Sequence, residues 1–241
     1  MSETPLDQFK LTKLVNFEVS GYDISFTNSA LFMASGILLV SVFLILALRQ
    51  RKLVPGRMQS SAEILHDFIL KTLNDNTFGK GEQYFPLIFS VFIFILTLNL
   101  LGGMPFGFAV TSHFSITFAL AMIVFLAITT IAFIRHGFKF FSFFLPQDTP
   151  IFLAPLMIII EIFTYLTRPV SLAIRLAANM TVGHILLFVI ASFIVMMGYF
   201  GWVPIPFIMI LSGFEFFVAV LQAYIFTILS CVYLNDAINL H

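Results

Sequence analysis

The chain alternates between long apolar stretches and short polar segments. Between Asp23 and Arg49 no residue is charged, and the pattern predicts a helix over residues 28–48. About 20 apolar residues, each rising about 1.5 Å, are enough to cross the ~30 Å hydrocarbon core of a bilayer. The first apolar stretch is therefore predicted to be a transmembrane helix.

A second apolar stretch, residues 85–134, is long enough for two spans and contains no Asp, Glu, Lys or Arg. The segment 102–107 is rich in glycine and proline, which favours a turn. This turn divides the stretch into two predicted helices, over residues 85–104 and 113–134. We therefore expect a transmembrane hairpin.

Residues 57–78 follow a different pattern. Apolar side chains recur every three or four positions, and acidic and basic side chains lie between them. This spacing is typical of an amphipathic helix, and the segment is too polar to span a bilayer. We expect it to lie flat on the inner surface of the membrane or to pack against a neighbouring subunit.

The C-terminal region, residues 146–238, is predicted to form two long helices joined around residues 201–204. The run 204–234 is apolar except for Glu215, and as a helix it would exceed the thickness of a ~30 Å core by about half. The run 150–199 is longer still and carries charged residues in its middle. Two steeply tilted, near-horizontal helices accommodate both runs, whereas ordinary tilting absorbs only a modest excess of length.

Composition supports a membrane protein, because 60% of the residues are hydrophobic and only 10% are charged. Average soluble proteins carry roughly 25% charged residues. The 12 basic and 12 acidic residues cancel, which excludes a nucleic-acid surface built on bulk positive charge. We predict an all-α integral membrane protein with a single membrane domain over residues 1–241. The sequence shows no phosphate-binding glycine loop and no metal-ligand cluster, so we expect neither a cofactor nor a metal.

Basic residues mark the side of the membrane on which the first helix ends. They follow that helix directly, at Arg49, Arg51, Lys52 and Arg57. Because inner-side loops carry an excess of Lys and Arg, the N-terminus is predicted to lie on the outer side.

One arginine, Arg175, lies in the middle of a long apolar run. An arginine at the centre of a membrane helix costs about 2.5–3.5 kcal/mol on insertion scales, so it needs a counter-charge or water. Glu161 and Arg168 precede it at intervals of seven residues and share its helix face, which Asn179 joins. We expect Arg175 to be functional, with a structural ion pair as the alternative, and Arg168 to pair with Glu161.

The two long helices can be aligned residue by residue. In an antiparallel hairpin that turns near residues 200–203, His184 comes opposite Glu215, and Arg175 comes opposite Gln222 in nearly the same register. His184 follows Arg175 by nine residues, so the two side chains point to opposite sides of their helix. An intramembrane His–Glu pair can relay protons, because histidine titrates near neutral pH. A structural hydrogen bond is the alternative.

Two sequence motifs resemble those of a known family. Residues 171–184, SLAIRLAANMTVGH, resemble the signature of subunit a of F-type ATP synthases, also called subunit 6. Residues 221–241, LQAYIFTILSCVYLNDAINLH, resemble the mitochondrial and alphaproteobacterial branch of that family, as do residues 24–29 and 110–114. The resemblance extends over nearly the whole chain.

The resemblance implies a stator subunit of the Fo sector that is not an enzyme by itself. Arg175 would face the membrane carboxylates of the rotating c-ring, against which the two long helices pack. Asn179 and Gln222 would lie near it. His184 and Glu215 would line a proton half-channel, and Glu161 would be another polar position of a channel. The implied residues of the half-channels are His184, Glu215, Glu161, Asn179 and Gln222.

The implied mechanism uses two aqueous half-channels. Protons enter from the outer side near Glu215 and His184, neutralise a carboxylate of the ring and leave through the second half-channel, while Arg175 separates the two and blocks a leak. The implied partners are the c-ring, the peripheral stalk with subunit b, other Fo stator subunits and membrane lipid, but not nucleic acid. Composition favours the mitochondrial inner membrane, with an alphaproteobacterial inner membrane as the alternative, and the N-terminus in the intermembrane space or periplasm.

Three other classes of membrane protein fit the sequence less well. A secondary transporter usually shows paired repeats and broken helices, which this sequence lacks. A channel would need polar residues that form a ring. A purely structural subunit of a respiratory complex would leave Arg175, His184 and Glu215 without a function.

Overall fold

The computed structural model of the chain describes most of the sequence. The described residues are 12–15, 18–19, 22–23, 25–49, 52, 55–104, 107–144 and 152–239. The start of the predicted long-helix hairpin, residues 146–151, and the predicted turn residues 105–106 lie outside them.

The described part of the chain is built mainly from long α-helices. They are α1 (Asn28–Leu48), α2 (Arg57–Thr77), α3 (Phe85–Gly102), α4 (Phe114–His136), α5 (Ala154–Met196) and α6 (Ile205–Ile238). All of these except α2 are long and apolar enough to cross a membrane. The structure thus confirms the class of all-α integral membrane protein, and the helices begin and end within a few residues of the predicted bounds.

Short 3₁₀ segments connect or extend several helices. They cover Glu82–Tyr84, Val110–Ser112, Gly137–Phe144 and Gly198–Phe200. The last of these lies in the turn between α5 and α6, close to the residues 201–204 expected to join them. Pro169 lies inside α5 without ending it.

Two small antiparallel strand pairs precede α1, and the sequence pattern did not predict them. The strands are β1 (Lys13–Val15), β2 (Glu18–Val19), β3 (Tyr22–Asp23) and β4 (Phe26–Thr27). β1 pairs with β4 and β2 pairs with β3. Strands of two or three residues are too short to show the alternation by which a strand is recognised in a sequence. Thr27 then caps α1, because its hydroxyl accepts a hydrogen bond from the N–H of Ala30 at 3.5 Å.

The apolar face of α2 packs onto the chain itself. Ile69 and Leu73 are completely buried in a cluster with Ile88 and Ile95 of α3 and with residues of α4, α5 and α6. These two residues are therefore covered within the chain, while Ile64 and Phe68 of the same helix stay 65% and 42% exposed, so packing of α2 on the membrane surface or a neighbouring subunit stays a prediction.

Side-chain hydrogen bonds from earlier parts of the chain hold helix α6 near its middle and at its C-terminal end. The amide of Asn99, which is fully buried in α3, donates a hydrogen bond to the carbonyl of Ala219 at 3.1 Å. At the far end of α6, the Lys80 ammonium donates to the side chain of Asn239 at 2.8 Å. These contacts fix the position of α6 before any partner is considered.

Helix α2 ends one residue before the predicted bound, at a residue with left-handed backbone. Phe78 has φ of 52°, and its N–H donates to the carbonyl of Asn74. Gly79 follows with φ of +76°. Left-handed backbone costs a residue with a Cβ roughly 1–2 kcal/mol, whereas glycine adopts it freely.

We predict that Phe78→Gly raises the free energy of unfolding by about 1 kcal/mol, because it removes this backbone strain. The Phe78 side chain is 80% exposed, so little packing is lost. The measurement is thermal or denaturant unfolding of the purified protein in detergent. Phe78→Ala is the matched control, since it removes the ring and keeps the Cβ. An equal gain in both variants would show that the ring, and not the backbone, is responsible.

Candidate functional site

Helices α5 and α6 line a cavity of about 470 Å³ between their middle turns. Four of the predicted site residues line it, Arg175 and Asn179 from α5 and Glu215 and Gln222 from α6. Most of the remaining wall is formed by apolar side chains such as Leu187. The antiparallel packing of α5 and α6 therefore brings together polar residues that are distant in the sequence.

Arg175 is half-buried in the wall of this cavity. Its backbone carbonyl accepts a hydrogen bond from the amide of Gln222 at 3.4 Å, and Gln222 itself is only 4% exposed. Within the described part of the chain, no carboxylate forms an ion pair with the Arg175 guanidinium. A cation at membrane depth is costly unless it meets a counter-charge or water.

His184 and Glu215 meet across the α5–α6 contact, as the register predicted. The His184 Nε2 and the Glu215 Oε1 are 3.5 Å apart, and the two side chains are 14% and 8% exposed. This separation is within ion-pair contact but slightly longer than a direct hydrogen bond of ordinary length. Glu215 also lines the cavity of Arg175, whereas His184 reaches Glu215 from outside that cavity.

Gly183 allows the carboxylate of Glu215 to lie directly against the backbone of α5. A Cβ at position 183 would fall 2.9 Å from Glu215 Oε1 and 3.3 Å from its Cδ. Both distances are shorter than ordinary contacts, so any larger residue would displace the carboxylate. The sequence analysis did not identify this glycine, because its role depends on which residue lies opposite.

Arg168 forms an ion pair with Asp236 of α6, with Arg168 Nη1 and Asp236 Oδ2 3.0 Å apart. Its guanidinium also lies 5.3 Å and 4.7 Å from the ring centres of Tyr165 and Tyr233. The expectation of a pair with Glu161 is therefore replaced by a contact between helices. Arginine planes stack well on aromatic rings, which adds to the ion pair.

The remaining predicted position, Glu161, does not reach the cavity. It is half-buried on α5, two turns before Arg168. Asp236 was missed in the sequence, although it and Glu215 are the two acidic residues of α6. Counting the charges of α6 would have identified Asp236 as a candidate, but only the packing shows which arginine it meets.

The segment before α4 packs close to this site. The carbonyl of Ser112 accepts a hydrogen bond from the Thr181 hydroxyl of α5 at 3.2 Å. The next residue, His113, stacks its ring on Phe108 with the ring centres 5.3 Å apart. Burial lowers the pKa of His113, because removal from water disfavours the charged imidazolium. Burial therefore favours the neutral form of this histidine.

Metal ligation is not evident in the part of the chain that the structure describes. No group of three or more His, Cys, Asp or Glu side chains there is arranged to hold a metal ion. The cysteine, Cys231, is completely buried.

Comparison with known families identifies the family to which the chain belongs. The model of the family described as ATP synthase A chain matches residues 30–235. The match includes α5 and α6 up to the last turn of α6, and so contains Arg175, His184, Glu215 and Gln222. Because it covers most of the sequence, the chain belongs to the ATP synthase A chain family and is a non-catalytic, proton-translocating subunit of the membrane-embedded Fo sector.

Proposed function

We propose that Arg175 is the residue through which this subunit acts on the c-ring. The observation that carries the proposal is that its guanidinium has no carboxylate partner among the described residues, whereas Arg168 pairs with Asp236. A cation at membrane depth needs a counter-charge or water, and in this proposal a carboxylate of the c-ring supplies the counter-charge. The guanidinium attracts the ionised carboxylate and so favours release of its proton.

The cavity between α5 and α6 supplies one aqueous half-channel in this proposal. It is large enough for several waters, and its wall carries Glu215, Asn179 and Gln222. His184 lies against Glu215, so a proton can pass between an imidazole and a carboxylate on its way to the ring. Glu161 is another polar position of a half-channel in this proposal, although it does not line this cavity.

Separation of the two half-channels is the second role proposed for Arg175. A fixed positive charge repels protons, so a proton must travel on the c-ring instead of passing the arginine directly. One charge crossing the membrane releases about 2.3 kcal/mol per 100 mV. Several crossings are therefore needed for each ATP made, and a leak past Arg175 would waste them.

The same proposal places the chain as one membrane domain over residues 1–241, with α5 and α6 steeply tilted along the c-ring. Its partners are the c-ring, the peripheral stalk with subunit b, the other Fo stator subunits and lipid. The membrane is the mitochondrial inner membrane, with the N-terminus on the intermembrane-space side. Support for this side comes from the basic residues Arg49, Lys52 and Arg57 that follow α1.

We predict that Arg175→Ala abolishes ATP-driven proton uptake while ATP hydrolysis by the assembled complex continues. The substitution removes the charge that binds the ring carboxylate and separates the half-channels. The measurement is acidification of sealed vesicles that contain the complete complex. The control is Arg135→Ala, which removes an exposed arginine at the end of α4. Proton uptake near the native rate in the Arg175→Ala variant would contradict the proposal.

We predict that Glu215→Gln lowers proton uptake by roughly 100-fold, in the range that a positioned acid–base group contributes to proton transfer. The amide keeps the shape of the side chain but cannot exchange a proton with His184. Glu63→Gln, on the exposed surface of α2, is the matched control. Unchanged uptake in Glu215→Gln would assign the His184–Glu215 contact to structure alone.

We predict that Gly183→Ala slows proton uptake although it should favour the helix. Alanine is better than glycine inside a helix by about 0.5–1 kcal/mol, but here the added Cβ displaces the carboxylate of Glu215. Gly213→Ala in α6 is the control, because a Cβ there meets nothing within 4 Å. If both variants pump equally well, the position of the Glu215 carboxylate does not matter for transport.

A further inference from the structure

A second cavity, of about 410 Å³, lies between the end of α1 and the start of α2. It shares no lining residue with the cavity of Arg175. Its wall combines the apolar side chains of Leu46 and Met58 with the basic side chains of Lys52 and Arg57. Neither basic side chain forms an ion pair with a carboxylate among the described residues. The cavity therefore joins an uncompensated positive charge to an apolar surface.

The backbone of this cavity is fixed by a side-chain amide. Gln59 of α2 accepts a hydrogen bond from the N–H of Lys52 and donates one to its carbonyl, both at 3.3 Å. The same amide donates to Glu63 at 2.8 Å, and Glu63 is not part of the cavity wall. The segment after α1 is thus tied to the first turns of α2 without using either cation of the cavity.

The first turn of α2 borders the same space. Its N-cap residue, Gly56, has no side chain to cap the helix, and the turn contains no acidic residue. The first N–H groups of a helix lack partners within the helix and point toward any anion bound there. They add to the attraction that Lys52 and Arg57 exert on a negative charge.

An apolar surface leads into this cavity from the membrane side. Helix α1 is long and apolar enough to span a bilayer, and near its end Val42, Ile45 and Leu46 are 46%, 65% and 49% exposed. The cavity therefore lies where a spanning helix leaves the hydrocarbon core. This is the level of the lipid headgroups, where basic residues contribute about 1 kcal/mol each to the attraction of anionic lipid.

We propose that the cavity binds the phosphate headgroup of an anionic phospholipid. Lys52 and Arg57 contact the phosphate, and the acyl chains follow the exposed face of α1 past Leu46 and Val42. The ligand is recognised by two features together, a negative phosphate and an attached hydrocarbon chain. A soluble anion offers the first feature alone, and a zwitterionic lipid lacks net negative charge.

The test uses the complete ATP synthase complex in phosphatidylcholine nanodiscs that contain a trace of photoactivatable phosphatidylglycerol. Mass spectrometry then locates the cross-linked peptides. We expect labelling of residues 46–59 above that given by photoactivatable phosphatidylcholine. Lys52→Gln combined with Arg57→Gln should lower this labelling about 30-fold, from two contacts of about 1 kcal/mol each. Lys71→Gln combined with Arg135→Gln removes the same charges from exposed positions elsewhere and should leave it unchanged.

Several results would overturn the proposal. Equal labelling by the two lipid probes, or equal labelling of the native complex and the Lys52/Arg57 double variant, would show that no anionic headgroup is recognised. Complete competition by millimolar inorganic phosphate would identify a site for a free anion. If the double variant does not assemble, the salt dependence of labelling is measured on the native complex. Labelling by phosphatidylglycerol is expected to fall with added salt, whereas labelling by phosphatidylcholine is not. Labelling by phosphatidylglycerol that does not change with salt would contradict the proposal.

Discussion

The contact between α5 and α6 is the constraint on which the arrangement of charges depends. Charged side chains at membrane depth are expensive, and each must find a partner or water. Across this contact Arg168 meets Asp236, and His184 meets Glu215. Arg175 lies between these two pairs without a carboxylate from the described residues. A shift of α6 by one turn would break both pairs, so the register of two helices fixes the position of every charge in the site.

The other helices support this register instead of contributing chemistry. Asn99 of α3 binds the backbone of α6 one turn after Glu215, and Thr181 of α5 binds the segment that precedes α4. Ile69 and Leu73 bury the apolar face of α2 in the same core. A close-packed interior resists small displacements, so these contacts hold the two long helices rigid. A rigid stator is what the proposed function needs, because the ring has to move relative to a fixed arginine.

Two cavities of the molecule, one at Arg175 and one at Lys52 and Arg57, differ in where they lie relative to the helices. The cavity of Arg175 is lined by α5 and α6, and Gln222 and Glu215 in its wall each contact the opposite helix. The cavity at Lys52 and Arg57 opens at the end of a spanning helix, and its cations point to no carboxylate of the described chain. The first arrangement suits a proton path and the second suits a charged surface of the membrane. The difference follows from the position of the basic residues. Arg175 lies in the middle of a long apolar helix, whereas Lys52 and Arg57 follow the end of one.

The sequence alone determined the helices and much of the site. Apolar stretches and their polar boundaries located α1 to α6, because burial in a bilayer depends on local hydrophobicity and on length. The spacing of residues along two antiparallel helices also brought His184 opposite Glu215, and Arg175 opposite Gln222. Only the tertiary structure decided that Asp236 pairs with Arg168, that Gly183 makes room for a carboxylate, and that Lys52 and Arg57 share a cavity. These facts depend on distances between side chains of different elements, and helix periodicity alone does not contain those distances.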